Sequence, residues 1–372
     1  MLDPRITRLA DVLINYSCAV RPGEKILIEA IDVPHEFTCE CVRLAREAGG
    51  HPLVTLKSNQ VNRALMLAGT SENWNLIKDT EKLRMENVQC YIGARGNPNV
   101  SELSDVPADR QKLYESTVWK QVHGDIRVKK TRWVVLRWPS PSMAQMAQLS
   151  TEAFEDFYFR VCTMDYGKMG KAMQPLKARM ERTDRVRLKG PRDTDLTFSI
   201  KGIPAVCCDG KLNIPDGEVF TAPVKSSVNG VIHFNTPTLY RGVTHENVRL
   251  VFKEGRIIEG TSSNTTKLNE VLDTDEGARY VGEFAIGFHP HITSAMKDIL
   301  FDEKIAGSIH FTPGRCYDEA SNGNESEIHW DLVLIQRPDH GGGEMWFDNE
   351  LVRKDGRFVT KDLEPLNPEN LT

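Results

Sequence analysis

The spacing of apolar positions changes character midway along this chain. In the first half, short apolar runs alternate with stretches in which apolar residues recur every three to four positions. Residues 25–29, 51–56, 88–92 and 133–136 are the runs, and each reads as a strand. Residues 35–48 have helical spacing and stop at Gly49-Gly50, as a helix ending in glycine does. Further helices are predicted over 108–121 and 152–161, with a basic one over 168–182. Strands alternating with helices predict an α/β domain whose mostly parallel sheet is covered on both faces.

Beyond Asp184 the pattern becomes one of short strands and turns. Strands are predicted at 196–200, 230–234, 248–252, 279–286, 308–311 and 327–335. Turns at Glu254-Gly255 and at Asp355-Gly356 predict hairpins, the second spanning 345–359. One helix, 293–301, interrupts the strands. The expected division is an N-terminal α/β domain, residues 1–183, and a C-terminal α+β, strand-rich domain, residues 184–372. No internal repeat or low-complexity tract is visible.

Composition narrows the function class. Apolar residues make up 40% and charged residues 27% of 372, which suits a globular chain large enough for two cores. A net charge of −5 without a concentrated basic face gives no footprint for nucleic acid. No run approaches the roughly 18 apolar residues that a membrane span needs. The start, Met1-Leu2-Asp3-Pro4-Arg5, lacks the apolar core of a secretory signal, so a cytoplasmic location is expected. The eight cysteines show no metal or redox spacing and read as reduced, structural thiols.

The chemistry concentrates in the second half. The Pro215-Asp216-Gly217 turn delivers Glu218 to the start of an extended segment. Glu283 lies inside an apolar strand, as does His310, and His329 and Asp331 lie in a third. In an extended segment His329 and Asp331 share one face while Trp330 takes the other. Burying a lone carboxylate costs several kcal/mol unless it is paired, neutralised or metal-bound. A shared cation accounts for all these residues at once, and ligands without thiolate suit Zn, Mn, Co or Fe. Three carboxylates and two imidazoles exceed the needs of one catalytic zinc and suit two bridged ions. Each residue also has a plainer reading. The histidines could be core residues, Glu218 could cap a turn, and Glu283 could pair with Arg279.

Residues 213–223 (NIPDGEVFTAP), Gly282-Glu283-Phe284 with Gly287-Phe288, Ser308-Ile309-His310 and His329-Trp330-Asp331 together resemble the M29 family of metalloaminopeptidases, the aminopeptidase T type. The resemblance covers nearly the whole chain. It implies Glu218, Glu283, His310, His329 and Asp331 as metal ligands for two divalent ions (Zn, Co, Mn or Mg). It also implies Tyr317, seven residues after His310, as an active-site tyrosine. A homodimer acting on peptides with a free N-terminus is implied as well. Two features depart from the family pattern: a short polar segment between His310 and His329, and a His289-Pro290-His291 pair expected at the surface or at a helix start.

The expected reaction is hydrolysis of the first peptide bond by metal-activated water. Glu283 or Asp331 bridges the ions, Glu283 accepts the water's proton, and Tyr317 hydrogen-bonds the developing oxyanion. Two alternatives accompany it. One is a ring-opening dioxygenase of the same fold with a single iron held by His310, His329 and Asp331. The other is a non-catalytic homologue.

Overall fold

The computed structural model describes residues 2–372. The chain separates into two compact units, Met1–Thr163 with Gly210–Pro215, and Met164–Asp209 with Asp216–Thr372. The division falls earlier than residues 183–184 because the Tyr166–Arg182 helix packs on strands of the second unit, Val206–Cys208 and Glu218–Thr221.

The first unit is an α/β layer structure. Strands β1 (Lys25–Ile31), β2 (His51–Lys57), β3 (Cys90–Arg95) and β4 (Arg132–Arg137) lie in the order β2-β1-β3-β4. All are parallel, and the short Asn213–Ile214 strand adds in parallel beside β4. Residues 26–30 of β1 are all buried because helices cover both faces of the sheet. The His35–Glu47 helix buries Phe37, Cys41, Leu44 and Ala45 at helical spacing. Gly49 then takes φ +80°, a left-handed conformation that ends the helix.

Two features of this unit differ from the pattern-based reading. The helices Asn59–Ala68 and Ser71–Glu86 were not among the predicted elements. The longer one buries only Trp74 and Met85, so its apolar stripe is too sparse to stand out. The helix expected over 108–121 starts as α (Ala108–Tyr114) and continues as a π-helix through Glu115–Arg127. Val118, Val122 and Ile126 of the π segment pack with Leu27, Tyr91, Trp74 and Met85.

The second unit is strand-rich and antiparallel, as expected of an α+β domain. An eight-stranded sheet includes Asp195–Ser199, Asn229–His233, Arg249–Lys253 and the Glu344–Phe347/Glu350–Lys354 hairpin. A five-stranded sheet runs Leu332–Ile335, Ser308–Pro313, Val281–Gly287, Glu218–Thr221 and Val206–Cys208. Phe284 and Phe311, directly paired, point to one face of it and meet Phe198 with ring centroids 4.9 and 5.1 Å away. Glu283 and His310 therefore point to the opposite face.

Two elements are shorter than expected. In place of a helix over 293–301, only Ile299–Asp302 makes a turn. The Asp302 carboxylate instead accepts the backbone N–H groups of Met296 and Lys297, and Lys297 takes φ +61°. The strand expected over 327–335 is regular only at Leu332–Ile335, with His329 held by a single bridge to Gly314.

Candidate metal centre

Register in the five-stranded sheet assembles the site. Ala285 pairs with His310 on one side and Phe220 on the other, and Gly287 pairs with Ser308 and Glu218. These residues share the face opposite Phe284 and Phe311. Ala285 and Gly287 are small where their neighbours carry long ionisable side chains, which leaves volume above the central strand. A Cβ on Gly287 would come within 2.6 Å of Ser308 Oγ and 2.7 Å of the Glu303 carbonyl.

The five residues singled out from sequence converge. Glu283 Oε1 lies 2.8 Å from His310 Nε2, and its Oε2 lies 3.5 Å from His329 Nε2. Glu218 Oε2 is 3.6 Å from His310 Nδ1, and Asp331 Oδ1 is 3.2 Å from His329 Nε2. Glu218, Glu283 and His310 form one group of mutually close ligand atoms, and Glu283, His329 and Asp331 form a second. Glu283 belongs to both. Trp330 turns away from the cluster and stacks on Tyr240 with centroids 4.6 Å apart.

The plainer readings of these residues fare differently. Arg279 pairs with Asp273 at 2.6 Å and bonds Asn269, so it does not neutralise Glu283. Glu218 Oε2 and Glu283 Oε2 are buried without a hydrogen-bond partner. Such orphaned acceptors are rare in folded proteins and call for an ion or water. The donor set of carboxylates and imidazoles fits a divalent metal on that ground.

Surrounding groups orient the ligands. His329 Nδ1 lies 2.8 Å from the Arg315 carbonyl, so this nitrogen carries a proton and Nε2 is the nitrogen that faces the cluster. Thr312 donates its hydroxyl to Asp331 Oδ1 at 2.7 Å. Without a metal the cluster is electrostatically tense. Burial pushes the Glu218 carboxyl up to about 8, although the Lys304 ammonium opposes this. Burial acts to lower His310 and His329, but Glu218 and Glu283 around the first and Asp331 beside the second raise each to about 10. Asp331 is drawn well below the carboxylate range by His329 despite its burial.

Tyr317 stands at the rim of the cluster, 49% exposed, with its ring 4.8 Å from His329 and 5.6 Å from Phe220. Burial of its hydroxyl, together with Glu283 and Asp331, raises its pKa, so it remains a proton donor. His289 is fully buried, contrary to the surface expectation. Its Nδ1 accepts the His291 backbone N–H at 3.3 Å, and neither residue joins the converging groups.

Two residues absent from the sequence reading enter the site. Glu303 lies with His310 and Asp331 in another ligand group. Lys304, completely buried, ion-pairs with Glu303 and lies 3.4 Å from Glu218 and 3.7 Å from Asp216. Glu303-Lys304 follows the short Ile299–Asp302 turn outside any strand, where an adjacent acid and base ordinarily signal solvent. No periodic signal marked either residue for burial.

Comparison with known proteins places the fold and the family of the chain. Aminopeptidase 2 of Geobacillus stearothermophilus is 32% identical over 164 residues, a match that spans 39% of this chain and 37% of that protein's length. The structure of wild-type AmpT from Thermus thermophilus superposes with a TM-score of 0.78 at 21% identity, covering 97% of this chain and 100% of the other. The 2,5-dihydroxypyridine dioxygenase of Pseudomonas putida KT2440 shares the fold at a TM-score of 0.60 and 12% identity, over 96% of this chain and 98% of the other. The family described as thermophilic metalloprotease (M29) matches residues 2–358, and the chain belongs to that family.

Proposed function

We propose that this protein is a metal-dependent aminopeptidase that removes the N-terminal residue of peptides at a site for two divalent ions. The observation that carries the reading is the pair of ligand groups that share Glu283. Glu218, Glu283 and His310 would hold one ion, and Glu283, His329 and Asp331 the other, with Glu283 common to the two groups. Zn, Co, Mn and Mg all remain compatible with these ligands. The aminopeptidase name of the Geobacillus relative and membership of a metalloprotease family support the same reaction.

When bound, a divalent pair supplies Lewis acidity toward a carbonyl and lowers the pKa of water. The chain's own residues do the rest. Glu283 accepts the proton of the attacking water. Tyr317, at the open rim, donates its hydroxyl to the oxyanion that develops on the scissile carbonyl. The surplus of carboxylates attracts the substrate's free ammonium group, which favours chain ends over internal peptide bonds. Thr312 and the Arg315 carbonyl keep Asp331 and His329 in place. The family resemblance supports a homodimer, which sedimentation velocity tests. All eight cysteines are free, which supports a reducing, cytoplasmic setting. Among the described residues no helix is long and apolar enough to cross a membrane.

The test is metal analysis of protein purified without chelators, followed by assay on aminoacyl-anilides and short peptides. Two divalent ions per chain and cleavage only at free N-termini are expected. A single iron per chain without peptide cleavage would replace this reading with the dioxygenase one, which has His310, His329 and Asp331 as its ligands. The orphaned oxygens of Glu218 and Glu283 favour two ions, because one iron would not use both.

A further inference from the structure

The first unit buries a second set of charged side chains that takes no part in the proposed hydrolysis. Its strand order, β2-β1-β3-β4, reverses between β1 and β3. In an open parallel sheet the crevice for a ligand lies beyond the carboxyl ends of the strands at such a point. Register sets Lys57, Ile31, Arg95 and Arg137 in one row at those ends, on the face that also carries Glu29 and Tyr91. Gly93 is the partner of Glu29, and its lack of a side chain lets the Tyr91 ring lie over it, where a Cβ would meet that ring at 2.9 Å. The π-helix Glu115–Arg127 covers this face. It lays the Arg127 guanidinium 4.3 Å from the Trp133 ring centroid and 5.4 Å from that of Tyr91, with His123 5.8 Å from Tyr91. A π-helical insertion of this kind often marks a functional position.

The acids of this cluster are already matched. Tyr91 donates to Glu29 at 3.0 Å, and Lys57 lies 2.9 Å from Glu29 and 2.5 Å from Glu81. Although Glu29, Glu81 and His123 converge as metal ligands do, the Lys57 ammonium already occupies the place of a cation between the two carboxylates. The guanidinium groups are not matched. Arg127 is 5% exposed, and its Nε and Nη1 are buried without a hydrogen-bond partner, as is Arg95 Nε. Among the described residues neither arginine has an ion-pair partner. Burial holds Arg127 below its ordinary pKa, and the nearby positive charge of Arg95 adds to this. Glu29 and Glu81 both pair with Lys57, and burial keeps His123 neutral, so neither carboxylate is an ion-pair partner of Arg95 or Arg127. An uncompensated buried charge is costly unless something pairs with it.

We propose that Arg95 and Arg127 form a binding site for the carboxylate or phosphate group of a small ligand, on the face of the first unit's sheet that the π-helix covers. The guanidinium fork suits the planar pair of acceptors that either group offers. The chain after β1 runs Asp32-Val33-Pro34 without a glycine-rich loop, so the recognition is by side chains and not by a nucleotide phosphate loop.

Equilibrium dialysis of the full-length, metal-loaded protein against labelled inorganic phosphate tests this, with unlabelled phosphate and glutarate as competitors. Saturable binding is expected, weakened at least about tenfold in both Arg127→Met and Arg95→Gln. It should persist in Glu283→Gln, which separates it from any phosphate held at the metal centre. Displacement by glutarate at lower concentration than by phosphate assigns a carboxylate ligand, and the opposite order assigns a phosphate. Thermal melts establish that the variants are folded, and the partly exposed Arg95 supplies the test where Arg127→Met does not fold. Absence of saturable binding, binding unchanged in both arginine variants, or binding lost only in Glu283→Gln would each overturn the proposal. The inference is independent of the aminopeptidase reading, since it concerns no residue of that site.

Discussion

Both units bury ionisable side chains against one face of a sheet, and the two burials carry opposite imbalances of charge. In the second unit Asp216, Glu218, Glu283, Glu303 and Asp331 surround a single ammonium, Lys304, and two imidazoles. Glu218 and Glu283 each keep an oxygen without a partner. In the first unit the carboxylates are satisfied and the guanidinium nitrogens are the orphans. An excess of acceptors calls for cations and an excess of donors calls for an anion. Which atoms lack partners is therefore more informative than which residue types are present. Both clusters contain the glutamates and histidine that a metal site needs, but Lys57 sits between both carboxylates of the first, whereas Lys304 in the second lies against Asp216, Glu218 and Glu303 and leaves the Glu283, His329 and Asp331 group without an ammonium.

Glu283→Gln should produce the largest effect, because one residue serves both ligand groups. Loss of about 10²–10⁴-fold in kcat/KM is expected, together with fewer than two ions per chain. Glu303→Gln sharpens the assignment. If Glu283 accepts the proton, the Glu303 variant keeps the pH profile of kcat, and a profile altered in Glu303→Gln alone would move that role to Glu303.

Tyr317→Phe should lower kcat about 10²-fold with metal content unchanged, as loss of an oxyanion donor does. Full kcat in this variant would remove the oxyanion role and leave Tyr317 as a wall of the site.

The first unit can be probed through its stability. Burial pushes the His123 imidazole down to about 4 from an ordinary 6.5, and Arg127 and Lys57 add to this against the pull of Glu29. Between those values the unfolded chain binds a proton that the folded chain refuses. The contribution is therefore present in full above pH 6.5 and is lost as pH falls toward 4, by about 2–3 kcal/mol. Urea unfolding across that window should show this loss in the wild-type protein and a smaller one in His123→Phe. Equal slopes would mean that His123 titrates normally.

Thr312→Val removes the hydroxyl that steadies Asp331. Metal affinity should fall about 10–100-fold, and Thr312→Ser should restore it. An unchanged affinity would show that His329 positions Asp331 without help from Thr312.

How much of this was legible beforehand depended on whether a signal is local. The helix ending at Gly49 and the turn at Glu254-Gly255 are written in adjacent residues, and both form where the pattern placed them. The five proposed ligands were legible because an acid or imidazole inside an apolar strand is conspicuous, and a strand's alternation says which face it takes. Glu303 and Lys304 carried no such signal. They lie outside any strand, in a segment whose hydrophilic character suggested solvent. The helix expected over 293–301 failed because a side chain further on, Asp302, took two of its backbone N–H groups.

The sequence alone determined the α/β then strand-rich order of the chain, the residues with unusual burial, and the family they resemble. These rest on periodicity, turn chemistry and motif, each of which is a property of near neighbours in the chain. Tertiary structure alone decided that Glu283 belongs to two ligand groups, that Lys304 is buried among acids, and that Arg127 has no ion-pair partner among the described residues. Those facts depend on strand register and on which helix covers which face. Such pairings join residues far apart in the chain, and packing free energy selects them only once the whole sheet has formed.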